Sequence, residues 1–144
     1  MDVLALLISL GCPPSGAALY APHIAYLAPR LGIETDQASA VLVSEGHCNP
    51  FARSRGGDVS AWQLRPGAAT LGKHTYSEEQ LRRPSISTWL ALRWMAYGRA
   101  KCGPGLLMLG WYGSGKCSGG KRYARRVLAR IARAQRVIAM EARP

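Results

Sequence analysis

The stretch Ala40-Val41-Leu42-Val43-Ser44-Glu45-Gly46-His47-Cys48-Asn49-Pro50 runs from unbroken apolar residues directly into an acid and a chain break. Thr35 or Asp36 can cap a helix ahead of it, with Ala40, Val41, Leu42 and Val43 as its buried part. That helix has to stop near Asn49, because a residue preceding proline avoids helical backbone. Glu45 therefore stands at the end of a buried helix, and glycine and polar residues open the chain at once behind it. Burial can keep such an acid protonated near neutral pH, as a general acid requires. Taken alone the signal is weak, since a glutamate at a helix end is usually solvated.

Outward from this stretch the chain reads as helices. Val3 to Leu10 is an apolar run too short to span a bilayer, and Asp2 is its only early charge, so a basic n-region is missing. Residues 1–16 are thus either a weak signal-like segment or a first core helix, and Pro13-Pro14-Ser15-Gly16 breaks the chain after them. Ile24, Leu27 and Leu31 predict a helix from Tyr20 to Leu31, with Pro22 in its first turn. Residues 51–60, rich in Arg, Gly and Ser, read as a loop or short extended segment, and Pro66 to Lys73 as a short helix. Ser77 with Glu79-Gln80 starts a helix that Pro84 closes, and Ser87 or Thr88 caps another reaching about Gly98. Leu106 to Trp111 is a short helix before a loop from Gly113 to Gly120. Val127, Ile131, Ala134 and Ile138 form one stripe of a last helix, Lys121 to about Ala142. Strand-like alternation is nearly absent, which predicts one all-α domain over residues 17–144.

Composition narrows the classes. At 144 residues the chain buries roughly 68–70% of its unfolded surface, enough for one ordinary core. Nineteen Lys and Arg face eight Asp and Glu, a net charge of +11, and such a field attracts polyanions. Aromatics are not interleaved with the arginines of the last helix, apart from Tyr123 at its start, which argues against a stacking platform for nucleic acid. Cys12, Cys48, Cys102 and Cys117 allow three pairings. No CxxC occurs and His23, His47 and His74 are scattered, so zinc is a poor fit. Cys102 and Cys117 bracket a Gly-rich segment and suit a disulfide in an oxidising compartment, the alternative being two buried thiols.

The continuation, Glu45-Gly46-His47-Cys48-Asn49-Pro50-Phe51-Ala52-Arg53-Ser54, then Gly57 and Trp62-Gln63-Leu64-Arg65-Pro66, resembles the soluble lytic transglycosylase domain family, lysozyme-like relatives of goose-type lysozyme. Glu45, Asn49, Pro50, Ala52, Ser54, Gly57, Gln63, Leu64 and Pro66 fall in the family's register without gaps. Tyr112-Gly113-Ser114-Gly115 loosely echoes a second family motif, Tyr-Asn-Ala-Gly. The resemblance spans roughly residues 20–130. It implies a single lysozyme-like domain of the transglycosylase type, with Glu45 as catalytic acid/base and Gln63 as a cleft residue orienting the sugar. It also implies that Tyr112 sits near Glu45, with Ser54 and Trp62 on the substrate side. For Tyr112 the alternative is a core aromatic, and for Trp62 it is packing in the cleft wall.

The departures are Gly46 for the usual Ser, Ser60-Ala61-Trp62 for Gly-Leu-Met, Gly113 for Asn, and Asp58 for a small apolar residue. Asp58 is a candidate second carboxylate that activates water; otherwise it forms a turn or pairs with Arg53, Arg55 or Arg65. Three functions follow as expectations. One is a peptidoglycan lytic transglycosylase that cleaves the MurNAc–GlcNAc β-1,4 bond and leaves 1,6-anhydro ends. The second is a muramidase hydrolysing that bond, and the third a catalytically inactive, basic wall-binding protein. The expected partners are peptidoglycan glycan strands, with anionic wall polymers drawn by the C-terminal helix unless that helix is only a solvated face. An extracytoplasmic monomer without metal or organic cofactor is expected.

Overall fold

The computed structural model of the protein describes residues 2–67 and 74–144. It is all-α: 66% of the described residues are helical, and none of them forms a strand beyond isolated bridges pairing Arg53 with Val59 and Val59 with Leu64.

Helix α1 (Val3–Ser9) begins where the Asp2 carboxylate accepts the Leu4 N–H at 3.1 Å. Val3, Leu6 and Leu7 are buried in the core. Helix α2 (Pro14–Arg30) starts six residues before the position set by its apolar periodicity. Pro14 occupies its first turn, where a missing N–H is harmless. Pro22, expected in that turn, lies inside the helix instead. The extra turns were hidden because Gly16 and Ala17 make up much of their buried face, and small residues give little periodic signal.

Helix α3 (Thr35–Gly46) has Glu34, not Thr35 or Asp36, at its N-cap. Six consecutive residues, Ala38 to Val43, are buried in it, so the helix passes through the core. Helix α4 (Glu78–Arg82) carries the capping box of Ser77 and Gln80. Helix α5 (Pro84–Cys102) starts at Pro84, so Ser87 and Thr88 are interior residues rather than caps. Both are buried yet satisfied: Ser87 Oγ donates to the Arg83 carbonyl at 3.0 Å, and Thr88 Oγ1 accepts from Trp62 Nε1 at 3.0 Å. Helix α6 (Leu106–Ser114) runs on through Tyr112 and Gly113, which were expected at a loop boundary. Helix α7 (Lys121–Glu141) buries Ala124, Val127, Ile131 and Ala134.

The core draws on both ends of the chain. Helix α7 packs on α6 and α3 and touches α1, while α5 packs on α2 and α6. Cys12 is bonded to Cys48, and Cys102 to Cys117, with Cα atoms 5.7 and 5.2 Å apart. The first bond ties the α1–α2 connection to the residues just beyond α3. The second ties the end of α5 to the segment leading into α7. Closing loops of these lengths stabilises by roughly 3–4 kcal/mol each, through the unfolded chain. The short helix expected over 66–73 lies, beyond Gly67, outside the described residues. No helix among the described residues is long and apolar enough to cross a membrane.

Candidate active site

Because α3 passes through the core, its last turn delivers Glu45 half-buried at the edge of that core. Tyr123, on the first turn of α7, donates its hydroxyl to Glu45 Oε1 at 2.7 Å. Burial pushes the Glu45 carboxyl above the ordinary carboxylate range; the Tyr123 hydrogen bond pulls it partly back, and the Asp58 charge pushes it up again. Tyr123 and Tyr112 are themselves held protonated, first by burial and next by the Glu45 charge. Tyr112 does not bond Glu45. Its hydroxyl donates to the Trp62 carbonyl at 2.9 Å and so joins α6 to the segment after the motif loop.

That segment is built by local bonds. Ser54 Oγ accepts the Asp58 N–H at 3.1 Å, which ties the turn together and places Ser54 in a structural role. Asp58 pairs with Arg65 at 3.1 Å, the turn-and-ion-pair arrangement, yet remains close enough for its charge to act on Glu45. Trp62 is 0% exposed, so the substrate-side position expected for it is not available. Its ring lies in the main core, fixed by the bond to Thr88. Gln63 is half-buried and donates Nε2–H to the Ser60 carbonyl at 2.8 Å.

Two departures from the family pattern acquire a physical reason. A Cβ on Gly46 would lie 2.7 Å from both the Cα and the carbonyl oxygen of Ala61, so only glycine lets the end of α3 rest on the backbone beside Trp62. A Cβ on Gly113 would lie 2.7 Å from Cδ1 of Tyr123. The space that an asparagine side chain would take is therefore filled by the ring whose hydroxyl reaches Glu45.

No protein-family model and no curated protein sequence matches the chain.

Backbone strain collects at the same place. The non-glycine residues with left-handed φ are His47 (51°), Cys48 (62°), Ser60 (69°) and Gln63 (53°) among those described. The first pair follows Glu45 after the single residue Gly46, and the second flanks Ala61 and Trp62. Each costs about 1–3 kcal/mol, and such residues gather where structure is held for function. The Cys12–Cys48 bond and the Ser60 N–H to Ala52 carbonyl bond (2.9 Å) help to hold them.

Glu45, Tyr112, the Trp62 backbone and Asp58 thus come together around one acid, whereas Ser54 and the Trp62 ring serve the scaffold. Tyr123 is the residue the motifs missed. It is 78 positions from Glu45 and belongs to neither motif, so no local spacing could connect them. Its one mark in the sequence is that it is an aromatic at the start of an otherwise aliphatic and basic helix. Because the Tyr123 bond favours the ionised acid, Tyr123→Phe is expected to raise the midpoint of the Glu45 carboxyl further. Carboxyl-detected NMR titration reads this directly, and an unchanged or lowered midpoint would remove Tyr123 from the site.

Proposed function

We propose that this protein is a peptidoglycan lytic transglycosylase of the lysozyme-like type, acting outside the cytoplasm on glycan strands. The observation that carries the reading is Glu45: half-buried at the end of α3, shifted toward its protonated form, and hydrogen-bonded by Tyr123. It stands at the head of the motif running to Pro66. Two disulfides suit an oxidising compartment.

One carboxyl group suffices for the chemistry. Protonated Glu45 gives its proton to the bridging oxygen as the bond to C1 of N-acetylmuramic acid breaks, and that oxygen leaves as a hydroxyl. The carbonyl oxygen of the sugar's 2-acetamido group closes on C1 and takes up the positive charge, so no enzyme nucleophile is needed. Ionised Glu45 then accepts the proton of the C6 hydroxyl while O6 attacks C1 and the acetamido oxygen departs. A 1,6-anhydro end results and Glu45 is again protonated. The C6 hydroxyl is already held within the same sugar, an effective-concentration advantage over water. Tyr123 stabilises the ionised acid between the two steps.

A muramidase is the second reading, favoured by the proximity that lets Asp58 act on Glu45. An acid with a second carboxylate across the cleft can activate water and invert the sugar. Against this, Asp58 is held by Arg65 and by its own turn. Mass spectrometry of muropeptides released from sacculi separates the two. The expected result is 1,6-anhydro products from both the wild type and Asp58→Asn, at rates within a few-fold of each other. Reducing-end products that disappear with Asp58→Asn would establish hydrolysis instead.

A further inference from the structure

Arg126, Arg130 and Arg133 follow one another along α7 at spacings of four and three, so their side chains share one flank of the helix. Together with Ala129 they line a concavity of about 260 Å³. Ala129, central among them, is too small to fill it. Among the described residues the ion pairs are Arg53–Glu78, Arg65–Asp58 and Arg82–Glu78, so none of these three guanidinium groups is neutralised. Arg130 is half-buried and steadied by donating Nη1–H to the Leu10 carbonyl at 3.3 Å, which fixes the floor of the cluster against the end of α1. The field around it is strongly positive, since residues 121–144 hold eight basic side chains against Glu141 alone.

The position of the cluster selects its ligand. Arg126 lies one turn beyond Tyr123, close enough for its charge to act on the hydroxyl that holds Glu45. At 1.5 Å per residue, the three arginines extend from roughly 5 to 15 Å along the helix from Tyr123. A four-residue peptide spans at most about 14 Å. A short acidic peptide borne by the sugar at Glu45 can therefore reach the near end of the concavity, at Arg126 and Arg130, without leaving the strand being cut. A separate polyanion gains nothing from that proximity. Guanidinium forks are suited to carboxylates, which they bind through paired charge-assisted hydrogen bonds.

We infer that Arg126, Arg130 and Arg133 form a subsite for the carboxylates of the peptide carried by the glycan strand at Glu45. The inference rests on the reading of the protein as a glycan-strand enzyme. In it, the basic helix is a specificity element that favours peptide-bearing strands over bare ones.

The test is binding by co-sedimentation, with full-length protein carrying Glu45→Gln so that the polymer is not consumed. The probes are glycan strands freed of phosphodiester polymers and coupled to beads through their ends, with peptides intact or removed by an amidase, so that both forms sediment. Peptide-bearing strands are expected to bind about ten-fold more tightly, the scale of a few exposed charge-assisted contacts acting together. Adding Arg126→Gln and Arg133→Gln, which leaves the Arg130–Leu10 contact in place, is expected to abolish that preference without changing binding to stripped strands. Arg122→Gln with Arg125→Gln and Arg136→Gln, a larger charge loss on the rest of the helix, is expected to keep it.

Equal binding to both forms of the strands overturns the inference, and so does a preference that the Arg126/Arg133 variant retains. Loss of the preference in the Arg122/Arg125/Arg136 variant overturns it too, because the effect is then bulk charge. A preference restored by added phosphodiester polymer rather than by peptide assigns the cluster to phosphate and likewise overturns it. Muropeptide release by the wild type is scored separately. Peptide preference without release sinks the transglycosylase reading alone, and release without preference sinks this subsite alone.

Discussion

Glu45→Gln is expected to lower muropeptide release from sacculi by about 10²–10⁴-fold, the usual contribution of a positioned general acid. Gln keeps the size of the side chain and can still accept the Tyr123 hydroxyl, so the fold should persist. It has no proton to give to a departing oxygen. The same substitution carries an opposite expectation for stability. The Glu45 carboxyl is raised in the folded chain, first by burial, so between its unfolded and folded pKa values the folded state binds the extra proton. Stability is therefore undiminished below the unfolded value and falls as pH rises through the folded one. Glu45→Gln removes that penalty and should melt above the wild type at pH 7, yet together with it at pH 3. Thermal melts at both pH values, alongside release assays, check the pair of effects. Release unchanged by Glu45→Gln would end the proposed function. A variant melting below the wild type at pH 7 would mean that the ionised acid is not strained by burial.

Gly46→Ser tests how far the family pattern can be trusted at the residue beside the acid. By pattern alone, serine should restore a hydroxyl next to Glu45 and raise muropeptide release under the proposed function. The packing requires the reverse. The added Cβ would meet the Cα and carbonyl oxygen of Ala61 at 2.7 Å, and these are backbone atoms that no rotamer change can move aside. Overpacking of this kind costs about 1–3 kcal/mol, or roughly 3–10 °C in melting temperature for a chain of this length. Any relief must come from shifting Ala61, which lies between the strained Ser60 and the Trp62–Gln63 pair. Release should therefore fall as well, even in the folded fraction at low temperature. A Gly46→Ser protein as stable as the wild type and more active would show that α3 does not rest on this loop as described.

The elements that were legible are those whose signal is local. The stripe Val127, Ile131, Ala134 repeats often enough over α7 to define its buried face unaided. The Ser77–Gln80 capping box marks α4, and the apolar run Ala40–Val43 marks the part of α3 that ends at Glu45. Boundaries failed where local chemistry permits two outcomes. Ser87 and Thr88 are good caps in isolation, but in the fold their hydroxyls are satisfied by Arg83 and Trp62, so α5 extends back to Pro84. Tyr112 and Gly113 looked like the start of a loop, but α6 continues through them.

The sequence by itself determined the all-helical class and the acid at the end of a buried helix, because periodicity, capping and turn chemistry act within a few residues. Only the tertiary structure decided which groups meet that acid. Tyr123 reaches Glu45 across 78 positions, through the space left open by Gly113, and Tyr112 turns instead to the Trp62 carbonyl. Hydrogen bonds and desolvation depend on separation in space. The packing of α7 against α3 and α6 sets those separations, and no spacing along the chain encodes them.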